Sequence, residues 1–175
     1  INTPNSFEPD IFEKLSVEQI LTENGIIISE ENTIKEVREW LDAEPDYKLN
    51  YFIISSNEGE YRGILSASNL YSHIHPETNL VGGLIKRNKI HISLNDSLKN
   101  AVETMAKENI DVLPVISNEN ATVIGILSYK DIIATYKYSL EEHEKKSPAI
   151  SLKRKGLKIM LRGKQMVSAF NRMGK

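Results

Sequence analysis

The string Gly63-Ile64-Leu65-Ser66 returns as Gly125-Ile126-Leu127-Ser128, 62 residues further on, and no other feature of the sequence limits the possible folds as much. At the same offset Phe52-Ile53-Ile54-Ser55 falls on Pro114-Val115-Ile116-Ser117, and Asn69-Leu70 falls on Asp131-Ile132. Upstream the offset becomes 64: Thr33-Ile34 falls on Ser97-Leu98, Val37 on Ala101 and Leu41 on Met105. The change places a two-residue insertion near Glu44-Pro45-Asp46, in the kind of surface loop that tolerates one.

Both copies spell the same order of elements. Ile34, Val37 and Leu41, like Leu98, Ala101, Val102 and Met105, recur at three-to-four-residue spacing and predict helices with one buried stripe. Thr33 and Ser97 stand at their starts, preceded by the cap-type residues Asn32 and Asp96. Two β-branched runs follow in each copy, Tyr51–Ser55 with Arg62–Ser66 and Val112–Ser117 with Thr122–Leu127, and predict paired strands. A second helix is expected from about Ala67 to Ser72, and from about Tyr129 to Glu142 in the other copy. The unit is β-α-β-β-α, an α/β (α+β) arrangement of about 60 residues, a size at which a lone core is marginal. Two copies packed about a pseudo-two-fold axis would bury what one cannot.

Composition narrows the function. The chain has no cysteine, which excludes disulfides, Cys-ligated zinc or iron–sulfur sites and thiol catalysis. Its longest apolar runs, such as Ile26-Ile27-Ile28, fall far short of the roughly 20 residues that cross a bilayer. The chain starts at Ile1 with no signal-peptide pattern and reads as a module of a longer protein. Its net charge of −2 hides a split: residues 1–144 hold 12 Lys and Arg against all 24 acids, whereas residues 145–175 hold 10 Lys and Arg and no acid. An acidic body carries a basic tail that suits an anionic contact: the body itself, a partner protein, a lipid surface or nucleic acid.

Residues 17–138 resemble a tandem pair of CBS domains, a Bateman module. The resemblance rests on the lead-in segments Val17-Glu-Gln-Ile-Leu21 and Leu80-Val-Gly-Gly-Leu-Ile85, on Leu113-Pro-Val-Ile116, and above all on Gly125-Ile-Leu-Ser-Tyr-Lys-Asp131. That last string fits the family's Gly-apolar-apolar-Ser/Thr-x-x-Asp pattern in full. The first copy departs from it, since Gly63-Ile-Leu-Ser-Ala-Ser-Asn69 ends in Asn. The implied division is a linker over 1–16, repeats over 17–77 and 78–138, and a basic tail over 139–175.

Physically, Ser128 ends a strand and opens a helix, where outward N–H groups favour an anion. Asp131 offers a carboxylate that suits paired ribose hydroxyls, and Lys130 places a cation between them. The resemblance makes Ser128 and Asp131 part of an adenosine-nucleotide site. By the same analogy Ile28 and Ser29, with Tyr47, Lys48, Leu49 and Tyr51, supply the adenine slot from the other half. A weaker or empty second site is expected at Ser66 and Asn69 with Ile92, Asp111, Leu113 and Pro114, because Ser68 stands where the cation should be. The competing reading is purely structural: Ser-x-x-Asp at such a junction also caps a helix and needs no ligand.

Other candidates carry less. His73-x-His75 precedes Pro76 without a nearby acid and reads as a solvated loop rather than a metal site. Gly82-Gly83 lacks a phosphate-loop context. Trp40, Tyr47, Tyr51 and Phe52 read as core or domain contacts. No catalytic constellation stands out, so no enzyme, catalytic cofactor or metal is expected. The acidic body argues against nucleic acid.

The tail alternates apolar and basic residues, as in Ile150-Ser-Leu-Lys-Arg-Lys-Gly-Leu157, and is expected to form an ordered extension that docks on the body. A CBS pair followed by such a tail resembles the cytoplasmic C-terminal region of bacterial ClC-type chloride channels and transporters. That resemblance implies a cytoplasmic homodimeric module that binds ATP, ADP or AMP and modulates an attached membrane domain. The alternatives are a dimerisation module without a ligand, or the regulatory pair of a soluble enzyme.

Overall fold

In the computed structural model, residues 12–20, 25–47, 49–141, 158–160 and 166–168 are described. The elements are β1 (Ile26–Ser29), α1 (Ile34–Ala43), β2 (Tyr51–Ser55), β3 (Tyr61–Ser66), α2 (Ala67–Leu70), β4 (Ile92–Ser93), α3 (Leu98–Glu108), β5 (Val112–Ile116), β6 (Val123–Ser128), α4 (Tyr129–Glu141), β7 (Lys158–Met160) and β8 (Met166–Ser168). The mixed fold with two small sheets is the one the repeat predicts. One sheet has the order β3-β2-β1-β7-β8 and the other β4-β5-β6. Within each half the first strand runs parallel to the second, and the second and third pair antiparallel.

Helix starts follow the repeat. Thr33 caps α1 through a reciprocal box with Glu36, and Ser97 caps α3 by accepting from Asn100 N. Asn32, expected beside the cap, is instead fully buried. The second helix of the first half is a single turn ending at Leu70, shorter than expected. Arg38 explains the stop: its guanidinium donates to the carbonyls of Leu70 (2.8 Å) and Ser72 (2.9 Å), groups that a continuing helix would use itself.

Each half is completed by the lead-in segment of the other. Val81 N donates to Asn32 O and Ile34 N to Asn79 O; 64 positions away, Val17 N donates to Asp96 O and Leu98 N to Leu15 O. Val81 and Leu84 accordingly sit in the core of Ile28, Ile34, Val37, Phe52 and Leu65, whereas Val17 and Ile20 sit in that of Leu98, Met105, Leu113 and Leu127. Ile27, Ile53, Val112, Val123 and Ile126 form a third cluster between the two halves. The pseudo-two-fold shows in the hydrogen bonds, where Tyr61 N donates to Ala121 O and Val123 N to Gly59 O, both at 2.9 Å. Two marginal units thus share one interior.

The basic tail does dock where it is described. Lys158–Met160 pairs parallel with β1, in the register Ile26 to Lys158 and Ile28 to Met160, and Met160 is fully buried in the first core. Residues 142–157, with Ile150, Leu152 and Leu157, lie outside the described residues. Among the described residues no helix is long and apolar enough to cross a membrane.

Candidate functional site

Close packing at Gly63 builds the first motif's surroundings. A Cβ there would lie 2.3 Å from Ile85 Cγ2 and 2.7 Å from the Arg87 carbonyl oxygen, so only glycine lets the chain after the lead-in turn cross β3. Ile64 N then donates to Arg87 O at 2.8 Å. The crossing brings exposed Lys86 and Arg87 over Ser66, Ser68 and Asn69, and with Tyr51 and Leu84 these residues line a cavity of about 470 Å³. A neighbouring cavity of about 450 Å³ shares Tyr51, Ser66 and Ser68 and reaches Asn109 and Asp111 of the second half. The cleft therefore joins groups from both copies.

Its polar groups are held in place. Ser66 Oγ accepts from Asn69 N (3.2 Å) and meets Ser68 Oγ (3.2 Å). Asn69 Nδ2 donates to Leu84 O (3.2 Å), which leaves Asn69 Oδ1 to accept from His75 Nε2 (2.9 Å). On the far side of Asn69, His75, Asn79, Leu80 and Gly83 line a further cavity of about 400 Å³. Across the pseudo-axis Asn50 Nδ2 donates to Asp111 Oδ2 (3.1 Å), and Tyr51 OH donates to Asn109 O (3.1 Å).

The second motif is arranged otherwise. Ser128 Oγ accepts from Asp131 N (3.1 Å) and donates to Asp131 Oδ2 (2.6 Å). Hydroxyl and carboxylate close on each other, while Lys130 is exposed. Asp131 stays half-buried at the surface rather than turning into the interior.

Several residues assigned from sequence occupy other places. Ile28 and Ser29 have no exposed surface; Ile28 packs in the first core, and Ser29 Oγ donates to Asn57 Oδ1. Their strand β1 is paired on one edge by β2 and on the other by the tail strand. Tyr47 packs against Trp40 (centroids 5.2 Å apart, rings tilted by 33°) and, with Leu49, Leu41, Asp42, Phe52 and Tyr71, lines a small pocket of about 260 Å³ in the first half. Tyr51 lines the first motif's cavity. Lys48 lies outside the described residues. Of the second set, Ser66, Asn69 and Asp111 line the cleft, whereas Ile92, Leu113 and Pro114 are buried in the second half.

Two cations and a histidine were not legible as site residues. Lys86-Arg87 follows the lead-in segment directly, and the required glycine at position 63 was the signal that something crosses there. His75, expected in a solvated loop, is half-buried against Asn69. Among the described residues no group of three or more His, Asp or Glu could hold a metal.

Residues 81–138 match the CBS domain family. A homoserine O-acetyltransferase of Methanococcus vannielii is 28% identical over 123 residues, covering 68% of this chain and 24% of the relative. The chain thus spans about a quarter of the length of the curated relatives it matches. Among solved structures, the CBS domain pair of protein MJ0100, in complex with 5′-methylthioadenosine and S-adenosyl-L-methionine, superposes at a TM-score of 0.57 with 21% identity, over 71% of this chain and 98% of that one. The cytosolic domain of the Mg2+ channel MgtE, in complex with ATP, superposes at 0.59 with 22% identity, over 71% and 50%. Residues 81–138 thus match the CBS domain family, and the chain shares the fold of a solved CBS domain pair over 71% of its length.

Proposed function

We propose that this chain is a regulatory module that binds an adenine nucleotide, ATP, ADP or AMP, in the cleft over the first motif and passes its occupancy to an attached domain. One observation carries the reading: hydroxyls at Ser66 and Ser68 and the fixed amide of Asn69 converge on a cavity that also receives Lys86 and Arg87. The first group suits sugar hydroxyls and the second suits phosphate. Lys86 and Arg87 supply the charge that Ser68 cannot. The adenine-bearing ligands named for the two solved structures support the same class. In this reading the second motif is the weaker site, because a ribose there must displace the Ser128 hydroxyl from Asp131. That ordering reverses the one expected from sequence.

For the attached domain, the ClC-type chloride channel or transporter rests on the likeness of the basic tail, with the module on the cytoplasmic side and homodimeric. A soluble enzyme is the second reading, and the two homoserine O-acetyltransferases favour it. A hydropathy profile of the flanking sequence decides between them.

Calorimetric titration with ATP, ADP and AMP tests the proposal. The parent chain binds at least one of them, and the double variant Lys86→Ala/Arg87→Ala binds it at least ~10-fold more weakly, whereas Asp131→Ala keeps most of the affinity. Loss in Asp131→Ala with retention in the double variant would return the site to the second motif. No binding in the parent would favour a ligand-free interaction module.

A further inference from the structure

We infer that the C-terminal strand β7 is an in-cis effector of the first motif's cleft, acting through the positioning residue Asn32. The inference rests on the ligand reading above for its effect on affinity, but not for its mechanical part. Asn32 is fully buried, and its side-chain amide donates one N–H to Ser29 O (3.1 Å) and the other to Met160 O (3.0 Å). Its Oδ1 accepts from no described residue, so those two bonds are all that the side chain contributes. One of them goes to the tail.

From Asn32 the contacts continue along the chain that walls the cleft. Asn32 O accepts from Val81 N (2.9 Å) and Glu30 O from Gly82 N (3.1 Å). The approach is tight, because a Cβ on Gly82 would lie 3.0 Å from Glu30 Cβ. The turn Val81–Leu84 that these bonds anchor ends in the carbonyl that receives Asn69 Nδ2. The tail, Asn32, the turn and the Asn69 amide thus form one continuous set of contacts, and the same segment then runs on to Lys86 and Arg87. Met160 packs in the same core as Val81 and Leu84, which ties the set together through apolar contact as well.

The second half repeats the bonds to its lead-in turn, Val17 N to Asp96 O and Glu18 N to Leu94 O, but among the described residues it has no bond to a tail strand. Asp96 stands where Asn32 does, and its carboxylate accepts from Ser93 N (2.8 Å). Among the described residues no tail strand lies beyond β4. Docking of the tail therefore biases the first motif's cleft, and by linkage a ligand in that cleft biases docking by the same factor. A domain that pulls on or covers the tail would read the cleft's occupancy.

Hydrogen exchange separates the mechanical claim from the ligand claim. In Met160→Ala and in Asn32→Ala the amides of Val81 and Gly82 exchange at least ~5-fold faster than in the parent, with no ligand present. Leu98→Ala, a core truncation in the second half, controls for general loss of stability and leaves the ratio of these amides to other protected ones unchanged. With ATP or AMP added, the same two variants bind at least ~5-fold more weakly than the parent. Unchanged exchange at Val81 and Gly82 overturns the inference whether or not a nucleotide binds. Faster exchange with undiminished affinity also overturns it. If the parent binds neither nucleotide, the ligand reading fails, and the exchange result alone decides whether the tail sets the wall.

Discussion

Asn69 and Asp131 occupy the same place in two copies of one motif and make opposite use of it. Asn69 carries a donor and an acceptor, so it reaches outward, to a carbonyl of the turn that leads into the second half and to His75. Asp131 has only acceptors, and it closes on the hydroxyl three residues back. Both helix starts keep the serine cap, and the exchange of amide for carboxylate decides only whether the side chain bridges outward or closes on its own serine hydroxyl. Duplication gives two identical positions; their chemistry makes them unequal.

The largest expected effects test whether the two halves remain equal where their sequences agree. Leu65 and Leu127 are buried to the same degree, and Leu65→Ala and Leu127→Ala should each cost about 2–5 kcal/mol in urea unfolding. A cost in only one of them would break the claim of a shared interior. Next come the exchanges of the motif's last residue. Asn69→Asp replaces the donor to Leu84 O by a second acceptor and should cost about 1–3 kcal/mol, whereas Asp131→Asn keeps an oxygen for the Ser128 hydroxyl and should stay within about 1 kcal/mol.

Tyr61 sharpens the contrast at the junction of the halves. Its hydroxyl donates to Ile90 O at 2.6 Å, and burial pushes the phenol's pKa up. The unfolded chain would ionise near pH 10 while the folded one does not, so the stability this group contributes is intact below that pH and falls above it. Thermal unfolding at pH 11 should show a loss of about 1 kcal/mol that Tyr61→Phe removes. The smallest difference lies in the caps. Thr33 makes both bonds of its box and Ser97 shows one, so Thr33→Ala should cost about 1 kcal/mol in equilibrium unfolding and Ser97→Ala about half of that.

These contrasts also mark how far the sequence could be read. The repeat, the caps at Thr33 and Ser97 and the strand pairs were legible because period, cap chemistry and β-branching are local signals. The exchange of lead-in segments between halves was not, since nothing in Val17–Ile20 or Leu80–Ile85 says which core receives it. Ile28 and Ser29 went to the site by analogy, and a tail strand more than 125 residues away covers the edge where they sit. Ser68 looked like a missing cation only because Lys86 and Arg87 arrive through space rather than along the motif. Ser-x-x-Asp serves a cap and a ligand site with the same residues, so the motif alone does not say whether the Asp131 carboxylate meets its own serine or a ligand.

The central claim, that the first motif's cleft is the nucleotide site, is tested most directly by mapping amide chemical shifts while ATP or AMP is titrated into the uniformly labelled protein. The account predicts saturable shifts at Ser66–Asn69, Lys86, Arg87 and Asp111 before any at Ser128–Asp131. Shifts confined to the second motif, or none at either, would contradict it.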